Sequence, residues 1–316
     1  MKEVFRKIKK AVKGANTVIV VSHEDPDGDT IGSMIAISLM LKKLGKKVTM
    51  YSPDPIPHIY SFLPHAKEVK SKVDKKSHFD LGIAVDAGDI KRVRIKVKEL
   101  SSVVINIDHH PDNTMFGDIN YVERASSVAE QIYKLCNYFG VRIDREMGEC
   151  LYAAMITDTG NFQYENTSVE TFKIASDLLR AGVAPNKVAI NIYERRTLSS
   201  LKILAEALKN VGTTEGGKVI FASITEEAMR KVCALPEDLT GIVDHLRSVI
   251  GAEVAILFRE EGGRVKVNFR SKEKVNVSKI AKFFGGGGHF RAAGCVIPGK
   301  LNDIRKSVTD KVLKSI

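Results

Sequence analysis

The sequence predicts an α/β protein: an N-terminal open, mostly parallel sheet flanked by helices, followed by a second, smaller α/β domain built on a mixed sheet. Three observations carry that expectation. Apolar runs alternate with helical patterns through the first part of the chain, as in βα units around a parallel sheet. Acidic and imidazole side chains recur just beyond the ends of those apolar elements, where open α/β sheets bind their ligands. Near Gly212 the pattern changes to strands grouped around a glycine-rich segment. A chain of 316 residues is long enough for two domains, each burying its own core.

The elements follow in order. Apolar runs at 17–22, 47–51, 81–85 and 103–107 read as strands, and residues 31–44, 125–139, 147–156 and 169–181 carry helical periodicity. These form a first domain over residues 1–194. Residues 195–211 are a connecting segment with a helix at 198–209, and residues 212–316 are the second domain, with strands at 219–224, 253–259, 265–270 and 295–297. Residues 276–284 read as a short amphipathic helix with Val277, Ile280, Ala281 and Phe284 on its apolar face.

Chemistry concentrates where the apolar elements stop. The run Val103-Val104-Ile105-Asn106-Ile107 ends in Asp108-His109-His110, which delivers one carboxylate and two imidazoles to a sheet rim. After the first strand comes His23-Glu24-Asp25-Pro26-Asp27-Gly28-Asp29-Thr30, in which Pro26 and Gly28 break regular structure and let three aspartates converge. So much negative charge is costly unless a cation is present, because close carboxylates raise one another's pKa. The third strand stops at Asp86, and an apolar helix stops at Asp158-Thr159-Gly160. Alone, each acid reads as a helix N-cap or an acidic turn. Repetition at comparable topological points favours a shared metal site over separate caps. Spacing leaves open which of Asp25, Asp27 and Asp29 bind metal.

The set His23…Asp27-Gly28-Asp29, Asp86, Asp108-His109-His110 and Asp158-Thr159-Gly160 resembles the four motifs of the DHH phosphoesterase superfamily. Gly285-Gly286-Gly287-Gly288-His289-Phe290-Arg291-Ala292-Ala293-Gly294 resembles the signature of its DHH-associated C-terminal domain. Nearly the whole chain is covered, and the likeness is to the nanoRNase/pAp-phosphatase type, whose relatives also act on linear dinucleotides and cyclic di-AMP. The stretch 193–217 matches no family motif.

The resemblance implies a ligand set. One ion would take His23, Asp27 and Asp86, and a second would take Asp29, Asp86, His109 and Asp158, with Asp86 as the bridge and Asp25 behind the ligands. Two ions about 3.5–4 Å apart would activate a water for in-line attack on phosphorus and neutralise the phosphoryl oxygens. No serine or cysteine nucleophile is then required. Mixed imidazole and carboxylate donors suit manganese best, although zinc, cobalt and iron accept the same donors. His110 is implied to face substrate as a catalytic group that stabilises developing charge or protonates the leaving oxygen. Asp108 would orient an imidazole.

Four glycines in a row ordinarily make a flexible linker. Here they run into a packed-looking segment, so backbone N–H groups cradling a phosphate or sugar are the better reading. The resemblance implies that Arg270, Ser271, Gly286, Gly287, Gly288, His289 and Arg291 bind the end of the substrate far from the metals. A cleft between the domains would then limit substrate length.

Composition agrees. The chain is 44% hydrophobic and 28% charged, an ordinary composition for a water-soluble protein, and 49 Lys and Arg against 38 Asp and Glu give a net charge of +11, which suits an anionic substrate. Much of the excess falls in 2–13, 67–76 and 92–98, where solvated helical faces are the default. Trp is absent and aromatics are 7%, so long single strands lack stacking platforms and short substrates are favoured. Cys136, Cys150, Cys233 and Cys295 form no Cys-x-x-Cys pair, which fits a reducing cytoplasm. The apolar run near residue 20 is too short for a signal peptide or a membrane span.

The expectation is therefore a cytoplasmic hydrolase with two divalent cations, acting on nanoRNA or dinucleotides such as pApA to release nucleoside 5′-monophosphates, and on pAp to give AMP. Its partners would be short RNA or nucleotide, with no membrane or protein partner implied and a homodimer allowed. The alternatives are a cyclic di-AMP phosphodiesterase, a family II-like pyrophosphatase and an inactive nucleotide-binding regulator. A pyrophosphatase would lack the 285–294 signature, and a regulator would have lost a ligand; all the motif residues are present.

Overall fold

The computed structural model describes residues 2–74, 76–214, 216–288 and 290–316. The chain divides into two compact units, Met1–Arg195 and Arg196–Ile316.

The first unit is built on five strands, β1 (Thr17–Val21), β2 (Lys47–Tyr51), β3 (Leu81–Val85), β4 (Val104–Asp108) and β5 (Ile119–Val122), in the order β2-β1-β3-β4-β5. Every pairing is parallel. All strand C-termini therefore open on one edge, and the order reverses direction between β1 and β3, the point at which such sheets bind ligands. β1, β3 and β4 are buried along nearly their whole length because helices cover both faces.

Helix Gly28–Lys43 is buried from Gly28 through Leu41. Apolar side chains from Ile31 to Leu41 lie on every side of it, as a helix enclosed by neighbours requires, and its buried polar residues Asp29, Thr30, Ser33 and Ser38 are hydrogen-bonded. It packs tightly on helix Arg145–Asp158: a Cβ at Gly32 would stand 2.3 Å from the Cys150 carbonyl oxygen, so only glycine permits this approach. That contact draws the end of one helix, with Asp158, toward the start of the other, with Asp29.

The second unit holds β6 (Gly212–Thr213), β7 (Val219–Ile224), β8 (Val254–Glu261), β9 (Arg264–Ser271), β10 (Gly287–Gly288) and β11 (Ala292–Pro298) in the order β10-β11-β9-β8-β7-β6. β7 and β8 pair in parallel and the other pairs are antiparallel. β8 alternates between faces: Val254, Ile256 and Phe258 enter one core, while Ala255 and Leu257 enter the other. Helices Val277–Phe283 and Leu301–Leu313 cover the first face, and Leu198–Lys209 with Ile242–Arg247 cover the second. The helix read at 198–209 thus lies inside the second unit.

Several boundaries differ from expectation for local reasons. Helix Gly28–Lys43 starts three residues before Ile31 because Asp27 caps it, accepting a hydrogen bond from the Thr30 N–H at 3.0 Å. Helix Val128–Phe139 starts after Ser127 and not at Ala125. β11 begins at Ala292, ahead of Cys295, where it completes its pairing with β9. Strand β5 and helices Lys2–Gly14, Ile242–Arg247 and Leu301–Leu313 are among the elements not read from the sequence.

Candidate metal centre

The C-terminal edge of the first sheet gathers every expected metal-site side chain. His23 follows β1, Asp27 and Asp29 start the next helix, Asp86 follows β3, Asp108 ends β4 with His109 and His110 behind it, and Asp158 ends helix Arg145–Asp158. Their donor atoms fall into three overlapping groups, each with atoms within 4.8 Å of one another: His23, Asp27 and Asp86; Asp29, His109 and Asp158; and Asp86, His109 and His110.

Asp86 sits at the centre. It is 2% exposed, and its backbone takes the left-handed conformation, φ +58°, uncommon for a non-glycine residue. Its Oδ2 lies 3.5 Å from His23 Nε2, and its Oδ1 lies 3.6 Å from both His109 Nε2 and His110 Nδ1. Oδ1 is buried and has no hydrogen-bond partner among the described residues. A buried carboxylate oxygen left in that state is costly. A cation between the groups would satisfy it, and the oxygen and imidazole donors fit one.

The other side chains are held by their backs. His109 Nδ1 lies 3.2 Å from the Ala125 carbonyl, which fixes a proton there and turns Nε2 toward Asp86, Asp158 at 3.7 Å and Asp29 at 3.9 Å. Asp29 accepts from the Val128 N–H at 2.7 Å and the Ala129 N–H at 3.2 Å, the free donors at the start of the neighbouring helix, and from Ser33 Oγ at 2.9 Å. His110 Nδ1 lies 2.7 Å from Asp108 Oδ1, and Asn113 Nδ2 donates to the other Asp108 oxygen at 2.5 Å. Asp158 occupies a helix C-terminus, where a carboxylate opposes the helix dipole.

These groups perturb one another's affinity for protons. Burial, then the Asp86 and Asp158 charges, push Asp29 well above the ordinary carboxylate range. Asp158 is pushed up to about 7, by burial first and with only partial relief from His109. Burial would also raise Asp86, but the imidazoles of His23, His110 and His109 hold it well below. His109 rises to about 10 against the pull of burial, because Asp158, Asp86 and Asp29 stabilise its charged form. His110 is raised in the same way by its Asp108 hydrogen bond. A metal would compete with protons at His109, Asp29 and Asp158, the groups whose proton affinity is raised. Metal uptake at neutral pH should therefore release protons, and affinity should rise with pH. Calorimetric titration in buffers of different ionisation enthalpy checks this; uptake without proton release would contradict it.

In the second unit, Arg270 and Ser271 end β9 beside β11, with Ala292 opposite Arg270 and the Ser271 N–H donating to the Arg291 carbonyl at 3.0 Å. Gly287 and Gly288 pair with Gly294 and Ala293, so the glycine run is a short edge strand and no linker. Two of its glycines answer to packing. A Cβ on Gly286 would meet the Gly294 carbonyl oxygen at 2.1 Å, and Gly288 combines φ +134° with an Ala292 oxygen 2.5 Å from a built Cβ. At Gly287 the space is open. Ser271 Oγ is buried without a hydrogen-bond partner among the described residues, and Arg270 Nε lies 3.4 Å from Asp244. His289 lies outside the described residues.

Residues 17–155 match the N-terminal domain of the DHH family, and residues 231–314 match the DHHA1 domain. The chain is 33% identical over 291 residues to the bifunctional oligoribonuclease and PAP phosphatase NrnA of Thermus thermophilus, covering 92% of this chain and 86% of that one. It belongs to the DHH family. This DHH protein is also 28% identical to the enzyme of the same name from Bacillus subtilis, over 89% of its own length and 90% of the relative's. Its fold superposes on an exopolyphosphatase-related protein from Bacteroides fragilis with a TM-score of 0.92 at 26% identity, over 99% and 96% of the two chains.

Three neighbours of the centre escaped the sequence reading of this DHH protein. Arg92, in a run read as a solvated helical face, places Nη2 3.1 Å from His23 Nδ1. Asn113 steadies Asp108, and Thr30 stands among the donors of the first group. Each is brought in by tertiary packing, and a lone Arg, Asn or Thr outside a motif carries no signal. Asp25 is exposed, and its N–H donates to Asp54 at 2.8 Å.

Proposed function

We propose that this DHH protein is a two-cation phosphoesterase that hydrolyses short oligoribonucleotides and dinucleotides to nucleoside 5′-monophosphates and removes the 3′-phosphate of pAp. The observation that carries the reading is Asp86, whose buried oxygens lie beside metal-competent groups on either side while one of them has no hydrogen bond among the described residues. The relatives named oligoribonuclease and PAP phosphatase support the substrate class.

In this reading His23, Asp27 and Asp86 would hold one ion, and Asp29, Asp86, His109 and Asp158 would hold the other. When bound, divalent ions such as manganese supply a nucleophile from water at neutral pH and neutralise phosphoryl oxygens. The protein's share is orientation and proton handling. The Ala125 carbonyl fixes the His109 ring, and the backbone N–H groups of Val128 and Ala129 fix Asp29. Asp108 holds a proton on His110 Nδ1 and raises the pKa of the ring, which favours the form able to protonate a departing ribose oxygen.

Arg270, Ser271, Gly286, Gly287, Gly288, His289 and Arg291 are assigned to the substrate's second end. Arg270 supplies charge, and Ser271 Oγ and the open face of Gly287 supply polar contacts. The four cysteines are free thiols and, among the described residues, no helix is long and apolar enough to cross a membrane. Both fit action in the cytoplasm.

The test is manganese-supported hydrolysis of pAp, pApA, cyclic di-AMP, pyrophosphate and RNAs of increasing length, with products separated by size. Turnover should be greatest for dinucleotides and fall with length. Faster turnover of pyrophosphate than of any dinucleotide would overturn the proposal. Arg270→Ala should raise KM for pApA about tenfold or more, the loss of one charge-assisted contact, with little change in metal content. An unchanged KM would remove Arg270 from the substrate site.

A further inference from the structure

The hydroxyl of Thr30 lies among the donor atoms of the first group. Thr30 is fully buried near the start of helix Gly28–Lys43. Its Oγ1 is 2.7 Å from His23 Nε2, 2.6 Å from Asp86 Oδ2 and 3.0 Å from Asp27 Oδ1. These three residues form one of the metal-competent groups.

Hydrogen bonding alone does not satisfy that arrangement. A hydroxyl has one proton. His23 Nδ1 lies against both the Glu24 carbonyl, an acceptor, and Arg92 Nη2, a donor, which admits either tautomer; with the proton on Nδ1, Nε2 is an acceptor. Thr30 then faces three acceptors with one hydrogen to give. If His23 is instead protonated at Nε2, Thr30 accepts there and donates to one carboxylate, which still leaves the other oxygen opposite a lone pair. In either state at least one close contact around the buried Thr30 hydroxyl sets lone pair against lone pair.

A shared cation removes the conflict. Ligand atoms at neighbouring corners of an octahedral sphere with bonds of about 2.1 Å stand about 3 Å apart. The distances from Thr30 Oγ1 to the three partners, 2.6, 2.7 and 3.0 Å, approach that spacing. We infer that Thr30 Oγ1 is a fourth protein donor to the cation held by His23, Asp27 and Asp86, an inference that rests on the metal reading of that group. A neutral oxygen added to one imidazole and two carboxylates raises the donor number and hardness of the site. It favours manganese or magnesium over four-coordinate zinc.

The experiment titrates manganese and zinc, separately, into metal-free wild type, Thr30→Val, Thr30→Ala and Thr30→Ser, following heat and the loss of the free-manganese resonance. Melting temperatures of the metal-free proteins are recorded alongside. Valine and alanine should weaken one of the manganese-binding events about tenfold or more, the size of effect expected for groups around a metal, while zinc binding changes less. Serine should restore the wild-type manganese affinity. The alanine variant, which introduces no new bulk, decides the matter if valine prevents folding. Manganese affinity equal to wild type in a folded valine or alanine variant overturns the inference, and a lowered melting temperature with unchanged affinity assigns Thr30 a purely structural role. Wild type that binds no metal refutes the metal reading itself and is distinguished by that arm.

Discussion

Asp86→Asn should lose at least about three orders of magnitude in turnover of pApA and should no longer hold two ions. The substitution keeps the shape and removes the charge. Asp86 is the residue common to the His23–Asp27 group and to the His109–His110 group, so one change reaches both sides of the centre. Metal ions contribute several kcal/mol of charge stabilisation to phosphoryl chemistry, and 1.36 kcal/mol is a factor of ten, about 10³-fold or more for the pair. The asparagine amide offers a neutral oxygen and a nitrogen that cannot ligate, so paired occupancy fails even if single ions remain. Metal analysis of the purified variant beside its turnover checks this. Full turnover with two ions bound would refute the bridging role proposed for Asp86.

His110→Ala should behave differently. Turnover should fall about 10²–10⁴-fold, the contribution of a positioned general acid, while both ions stay bound. The reason is geometric: Asp108 engages the His110 Nδ1 at 2.7 Å, and Asn113 holds Asp108 from behind, so the imidazole is oriented and its proton retained. The defect should nearly vanish with a p-nitrophenyl ester, whose leaving oxygen needs no proton. His110 also belongs to the group it forms with Asp86 and His109, which makes metal content the decisive readout. A variant that loses an ion, with an equal defect on the activated ester, would make His110 a ligand and not an acid.

Much of this was legible because buried parallel strands are continuous apolar runs. β2 and β3 stand where the pattern put them, and β1 and β4 differ by a residue at their ends. The motif residues were legible as ends of apolar elements, and the fold brings them to one rim. β5 was not legible: Ile119-Asn120-Tyr121-Val122 is short, half polar and on a sheet edge, so its pairing with β4 decides its state. Nor could the sequence show that Asp29 caps a helix about 100 residues downstream, or that Arg92 reaches His23. The glycine run was read as a cradling loop and not a linker, and its last two residues, Gly287 and Gly288, form an edge strand. Yet Gly286 and Gly288 are required by the backbone of β11, a constraint that composition cannot distinguish from ligand binding.

The central claim is that residues from four separated stretches converge on a pair of cations around Asp86. Its most direct measurement is a manganese titration of the chelator-stripped protein, monitored by electron paramagnetic resonance and by hydrolysis of pApA. Two ions per chain should bind, with the spectrum of a spin-coupled pair, and activity should appear with the second. A single isolated ion, or hydrolysis undiminished in excess chelator, would contradict the account.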